Sequence, residues 1–222
     1  MSISNFSKLA LAASLLVSAT ASASTFHVSH SYYVKVYGQN SMTRIEAVNS
    51  MIKTNHSASE YHKLLVVNDY YNNNYNYVPD DKLWGRNDYW STTQEFVGAH
   101  GGDCEDFAIA KYQTLVKMGV SADKLRLVYV NALQINQAHM ILAYYKTKGS
   151  VPLVLDSLRT NILPSTERLD LEPVYSFNAK SLWIANYKHT QKDHYEGSSQ
   201  RLSAWVGVKQ RTSYKTPLIH LS

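Results

Sequence analysis

The sequence predicts an α+β domain in which a helix carrying a candidate nucleophile packs on an antiparallel sheet, and three observations point to it. Apolar residues recur at three-to-four-residue spacing in the first part of the chain, as in Ile45, Val48, Met51 and Ile52. One helix-forming run, Cys104 to Met118, follows the paired glycines Gly101 and Gly102. Beyond Gly119 the pattern changes to consecutive strand-like runs without intervening helices, which argues against a parallel β-α-β sheet.

The chain has 222 residues, 45% of them hydrophobic and 18% charged, enough to bury one sizeable core and unlike a disordered protein. It opens with a short polar segment containing Lys8, an apolar run from Leu9 to Val17, and small residues ending in Ala21, Ser22 and Ala23. This is the pattern of a secretory signal peptide cleaved after Ala23, with an apolar run too short to anchor in a bilayer. No later segment is apolar for long enough to span one, so a soluble exported protein comprising residues 24–222 is expected, with one domain. Removal of residues 1–23 leaves 21 basic against 17 acidic residues, a net of +4. The basic residues are scattered among acids rather than gathered on a stripe, which argues against nucleic-acid binding.

The helical N-terminal layer is expected over residues 24–65, with a further helical stretch from Ser57 to Val67. The Asn- and Tyr-rich segment Asn68–Tyr77 reads as a helix end and loop. Trp84 to Trp90 reads as an aromatic surface loop, and Gly101 and Gly102 as a tight turn before Asp103 and Cys104. A helix then runs to Met118, with Gly119 as its C-terminal cap. Strands are expected at Leu125–Val130, His139–Tyr145, Val151–Leu155 and Ser181–Ala185, with Gly149 and Ser150 turning between the second and third. From about residue 206 the tail is expected to be loosely ordered, and the stretch from Asn186 onward suggests no role.

Cys104 is the only cysteine, so it has no partner within an exported chain. Either it is a small buried hydrophobe or its thiol is used. Its place at a helix N-terminus, facing free amides and partial positive charge, favours the thiolate. His139 opens the second strand and Asp156 ends the third, so a hairpin places both at one end. Singly, a strand histidine and a strand-end aspartate are ordinary structural residues. Together with Cys104 they supply a nucleophile, a base and an orienter. His100, four residues before Cys104, is read as a loop residue. Zinc hydrolysis is disfavoured, since there is no His-x-x-x-His or Cys/His cluster.

An ordered set of segments resembles a known family. It comprises Leu83–Gly85 with Asp88–Trp90, Gly102–Tyr112, Asn136–Met140, Leu153–Leu158 and Pro173–Asn178. In order and spacing these are similar to the bacterial transglutaminase-like cysteine proteases of the periplasmic LapG type, over roughly Val66 to Trp183. The resemblance implies a papain-like or transglutaminase-like α+β fold with Cys104, His139 and Asp156 as the triad. It implies a substrate, the N-terminal region of a large RTX-type surface adhesin cut at a dialanine site. It implies a partner, a LapD-like inner-membrane receptor that sequesters the protease when it binds cyclic-di-GMP, so that release of the protease disperses the biofilm. By analogy with transglutaminases, Trp90 is a candidate second oxyanion donor, although a core or rim aromatic is the plainer reading.

The resemblance also implies calcium, held by acids matching Asp103 and Glu105, with Asp106 and loop carbonyls completing the site. The plainer reading makes Asp103 a helix N-cap and Glu105 and Asp106 first-turn acids. A cation has a physical reason here, because uncompensated carboxylates around Cys104 oppose thiolate formation. Two rivals remain open: an amine acyltransferase on the same fold, and a calcium-dependent envelope binding protein with no catalysis.

Overall fold

A computed structural model describes residues 23–184 and 194–213. The expected signal peptide lies outside the described residues, apart from Ala23. Three helices form the N-terminal layer: α1 (His30–Tyr37), α2 (Asn40–Asn55) and α3 (Glu60–Asn74). The predicted stripe of α2 is its buried face, since Ile45, Val48, Met51 and Ile52 all lie in the core. Ser59 caps α3 by accepting from the His62 N–H.

The helix α3 runs past the expected end at Val67 to Asn74, seven residues further than the sequence suggests. Asn68 and Asn72 both accept from the buried ammonium of Lys111, at 2.9 and 2.8 Å, and Tyr71 is fully buried with its hydroxyl 2.7 Å from Thr114 Oγ1. Tertiary contacts thus override the weak helix preference of asparagine. Next come β1 (Asn76–Tyr77), the single turn α4 (Asp80–Leu83), α5 (Thr93–Ala99), β2 (Gly101–Gly102) and α6 (Cys104–Lys117). The sequence reading passed over α5, although Thr92 and Glu95 form a reciprocal capping box at its start.

The remaining elements are β3 (Leu125–Ala132), β4 (Gln137–Tyr144), β5 (Leu153–Leu155), β6 (Leu163–Pro164), β7 (Leu171–Phe177), β8 (Ser181–Ile184), β9 (His194–Ser198) and α7 (Ser203–Ser213). The strands β3 to β9 form one antiparallel sheet in the order β6-β5-β4-β3-β7-β8-β9. The predicted α+β class and the packing of α6 on the sheet both hold. Leu115 and Ile109 of α6 share one core with Leu127 of β3 and Met140 and Leu142 of β4. Among the strands missed, β7 is concealed by Pro173. It pairs with strands on both sides, and the proline is tolerated because the register shifts there: Tyr129 faces Tyr175 but Val130 faces Pro173, so Val174 is the extra residue of a bulge in β7 beside the proline.

Over residues 206–213 the expectation of a loose tail is corrected by α7, whose Trp205 and Val208 are buried and whose Arg211 bonds to Glu95 and to the Trp90 carbonyl. Ala185 and residues 186–193 and 214–222 lie outside the described residues. Among the described residues no helix is long and apolar enough to cross a membrane.

Candidate active site

Cys104 sits at the first position of α6, and the chain reaches it through a crowded approach. The strand β2 pairs in parallel with β1, placing Asn76 opposite Gly101 and Tyr77 opposite Gly102. A Cβ on Gly101 would lie 2.4 Å from the Asn76 carbonyl oxygen, and one on Gly102 would lie 2.2 Å from Asp106 Oδ2. The two glycines are therefore required for close approach. The positive φ in this approach belongs not to them but to His100, with φ 63°, which caps α5 and sets its ring against Tyr75.

The thiol of Cys104 is half-buried and donates to Glu105 Oε2 at 3.0 Å. The backbone N–H of Met140 in β4 is directed at its sulfur. Burial first, and then the charges of Glu105 and Asp103, push the thiol well above its ordinary value. In this arrangement the helix N-terminus alone does not secure a thiolate, because burial and then the neighbouring acids outweigh it.

His139 and Asp156 meet as the hairpin reading expects. Leu142 pairs with Leu155, so Asp156 falls opposite Ile141, two residues from His139 and on the same side of the strand. His139 Nε2 lies 2.7 Å from Asp156 Oδ1, with the histidine 4% and the aspartate 1% exposed. Burial on its own raises the Asp156 carboxyl. Hydrogen bonds from His139, the Leu158 N–H and Arg168 outweigh that effect and hold it at about 2. An ionised Asp156 accepts a hydrogen bond from a protonated Nε2, which leaves Nδ1 as the ring nitrogen open to proton exchange. The structure thus joins His139 to Asp156 directly and sets Cys104 against the peptide N–H that follows His139. The thiol's own hydrogen bond goes to Glu105 rather than to the imidazole.

The acids around Cys104 make a further cluster. Asp103 occupies the N-cap position of α6, but its side chain makes no capping bond, and its Oδ1 is buried without a partner. Asp106 is 1% exposed; its Oδ1 accepts from the Ser91 N–H at 2.7 Å, while Oδ2 is buried and unpartnered. Asp80, on α4, completes the group: it is 3% exposed, accepts from the Tyr89 N–H through Oδ2, and leaves Oδ1 unpartnered. Ligand oxygens of Asp80, Asp103 and Asp106 lie within 4.8 Å of one another, and so do those of Asp80, Asp88 and Glu105.

Burial, with Glu105 and Asp106 adding to it, pushes Asp103 up to about 9. Burial also takes Asp80 up to about 6, against the Tyr89 hydrogen bond, and lifts Asp106 well above the ordinary carboxylate range. Buried carboxylate oxygens that lack donors and converge are the ligand set of a hard cation, and they fit calcium. The sequence reading did not include Asp80. Its signal was the pair Asp80 and Asp81 after Pro79, but nothing in the chain order shows that the loop folds back on α6.

Trp90 is 9% exposed and stacks on Phe177 at 5.6 Å, so its side chain is a core aromatic, the plainer of the two readings. Two cations unnoticed in the sequence surround Asp156. Arg168 donates to Oδ2 at 2.7 Å, and Lys111 donates to the backbone carbonyl at 3.0 Å.

The family model for bacterial transglutaminase-like cysteine proteinases matches residues 22–170. Among solved structures, EGTA-treated LapG of Legionella pneumophila is 38% identical, with a TM-score of 0.72, over 85% of this chain and 100% of that one. Calcium-bound LapG of the same organism is 40% identical, with a TM-score of 0.69, over 83% of this chain and 99% of that one. No curated protein matches.

Proposed function

The chain belongs to the bacterial transglutaminase-like cysteine proteinases, and we infer from that premise that it is a calcium-dependent endopeptidase using Cys104, His139 and Asp156. The observation that carries the reading is the buried His139–Asp156 pair, on the sheet against which the helix bearing the Cys104 thiol at its N-terminus packs.

Cys104 Sγ attacks the scissile carbonyl, and His139 takes the thiol proton on Nδ1, since Nε2 is committed to Asp156. The tetrahedral intermediate expels the amine, which receives that proton from His139. Water then attacks the thioester while Nδ1 accepts its proton, and the carboxylate product leaves as the thiol is restored. The Cys104 backbone N–H at the helix start is the natural oxyanion donor.

Asp80, Asp103, Glu105 and Asp106 are the residues that would hold calcium. Bound there, the ion supplies the positive charge that compensates the acids flanking the thiol. The LapG structures described as calcium-bound and EGTA-treated support this reading of the acids. If Asp80 is a ligand, Asp80→Asn weakens calcium binding by roughly tenfold or more, in line with losing one charged oxygen from a hard-cation site. Titration calorimetry measures this, and an unchanged affinity removes Asp80 from the set.

The same relationship carries the reading to a substrate and a setting. The protein is exported to the periplasm by residues 1–23 and cuts the N-terminal region of a large RTX-type adhesin at a dialanine site. A LapD-like receptor that binds cyclic-di-GMP restrains it, so that its release frees the adhesin and disperses the biofilm. The test incubates such an adhesin fragment with mature protein in calcium or EGTA, with and without a primary amine. Two fragments formed in calcium alone support the peptidase. A conjugate with the amine assigns an acyltransferase, and an intact fragment throughout overturns the substrate.

A further inference from the structure

Asp156 is held at every polar side-chain atom and at its carbonyl. Oδ1 accepts from His139 Nε2 at 2.7 Å and from the Leu158 N–H at 3.0 Å, and Oδ2 accepts from Arg168 Nη2 at 2.7 Å. The backbone carbonyl accepts from Asn72 Nδ2 at 2.8 Å and Lys111 Nζ at 3.0 Å. Arg168 is 3% exposed and follows a short helical turn, Ser165–Glu167. Its guanidinium is itself fixed by Asp170, with Nε to Oδ1 and Nη2 to Oδ2 both at 2.9 Å.

A buried ion pair is a poor stability device, because desolvation of both charges offsets their attraction. Its effect here is on orientation. A carboxylate gripped through one oxygen can swing about its last torsion, and this swing would carry Oδ1 out of line with the imidazole. A second grip on Oδ2, from a guanidinium braced by Asp170, removes it.

We propose that Arg168 is a positioning residue of the peptidase, locking Asp156 so that His139 keeps its proton on Nε2 and presents Nδ1 to the thiol. The inference rests on the peptidase reading above, and its readout is independent of substrate.

The test labels histidine with 15N in the full mature protein and reads the His139 tautomer by two-bond 1H–15N correlation, assigned through its loss in His139→Gln. Wild type shows the Nε2-protonated ring. Arg168→Met shifts it to a tautomer mixture and lowers kcat by about 10- to 100-fold with KM within about twofold, the scale expected of a misaligned catalytic group. Asp170→Asn loosens the brace without leaving Asp156 unpaired, so it gives a smaller shift in the same direction and decides the matter if Arg168→Met does not fold. An unchanged tautomer and kcat in the folded variants overturn the assignment. If the tautomer moves as stated but wild type cuts no peptide, the peptidase reading falls and the positioning of His139 by Arg168 stands.

Discussion

His139→Ala is expected to lower kcat for peptide cleavage by about 10⁴-fold or more while leaving KM within a few-fold, because it removes the imidazole that the proposed mechanism uses to carry the proton. Asp156→Asn is expected to cost about 10²- to 10⁴-fold, since an amide at that position presents a different hydrogen-bonding face and destabilises the working tautomer. Combining the two substitutions should cost little more than His139→Ala alone, because Asp156 acts through the imidazole. Initial rates on a dialanine-site peptide measure all three. Additive losses would mean that Asp156 has a role apart from His139.

Calcium removal is expected to make stability fall with rising pH. Asp80 at about 6 and Asp103 at about 9 both lie above their unfolded values, with burial as the main cause in each. A group raised on folding contributes stability that is full below its unfolded value, near 4, and is lost as pH rises through its folded value. In EGTA the melting temperature should therefore decline from about pH 5 to pH 9. Asp156 works in the opposite sense: held at about 2, it gives stability that is lost only in acid, below about pH 4. Calcium at about 100 times its dissociation constant adds about 2.7 kcal/mol. For a domain of this size, that corresponds to a rise in melting temperature of roughly 5–10 °C. The rise should be largest at the alkaline end. A scanning-fluorimetry series in EGTA and calcium checks it, and an EGTA curve that climbs between pH 6 and 9 would contradict the empty-cage account of these acids.

Much of this was legible in the sequence because local pattern carried it. The α2 stripe, the Cys104 helix and the hairpin bearing His139 and Asp156 follow from periodicity and turn residues alone. What escaped was set by contacts distant in the chain. Asn68 and Asn72 stay helical because Lys111 is buried between them, a contact across some forty positions. Asp80 joins the acids of α6 because Tyr89 and Ser91 fold the loop back onto it. Pro173 reads as a strand breaker until the bulge beside it in β7, at Val174, is seen to absorb it. Arg168 has no motif around it, and its role depends on the return of that loop beneath Asp156. The paired glycines read in sequence as a tight turn, whereas the structure requires them for space, since a Cβ at either would meet Asn76 or Asp106.

The Cys104 thiol is the group on which peptide cleavage most directly depends. Wild type and Cys104→Ala, both confirmed folded by circular dichroism and loaded with calcium, should be mixed with the adhesin fragment and quenched in acid at early times for intact-mass analysis. The expected result is cleavage by wild type, with any covalent adduct mapping to Cys104, and no cleavage by the variant. Fragments released by Cys104→Ala at the wild-type rate would contradict the assignment of Cys104 as nucleophile.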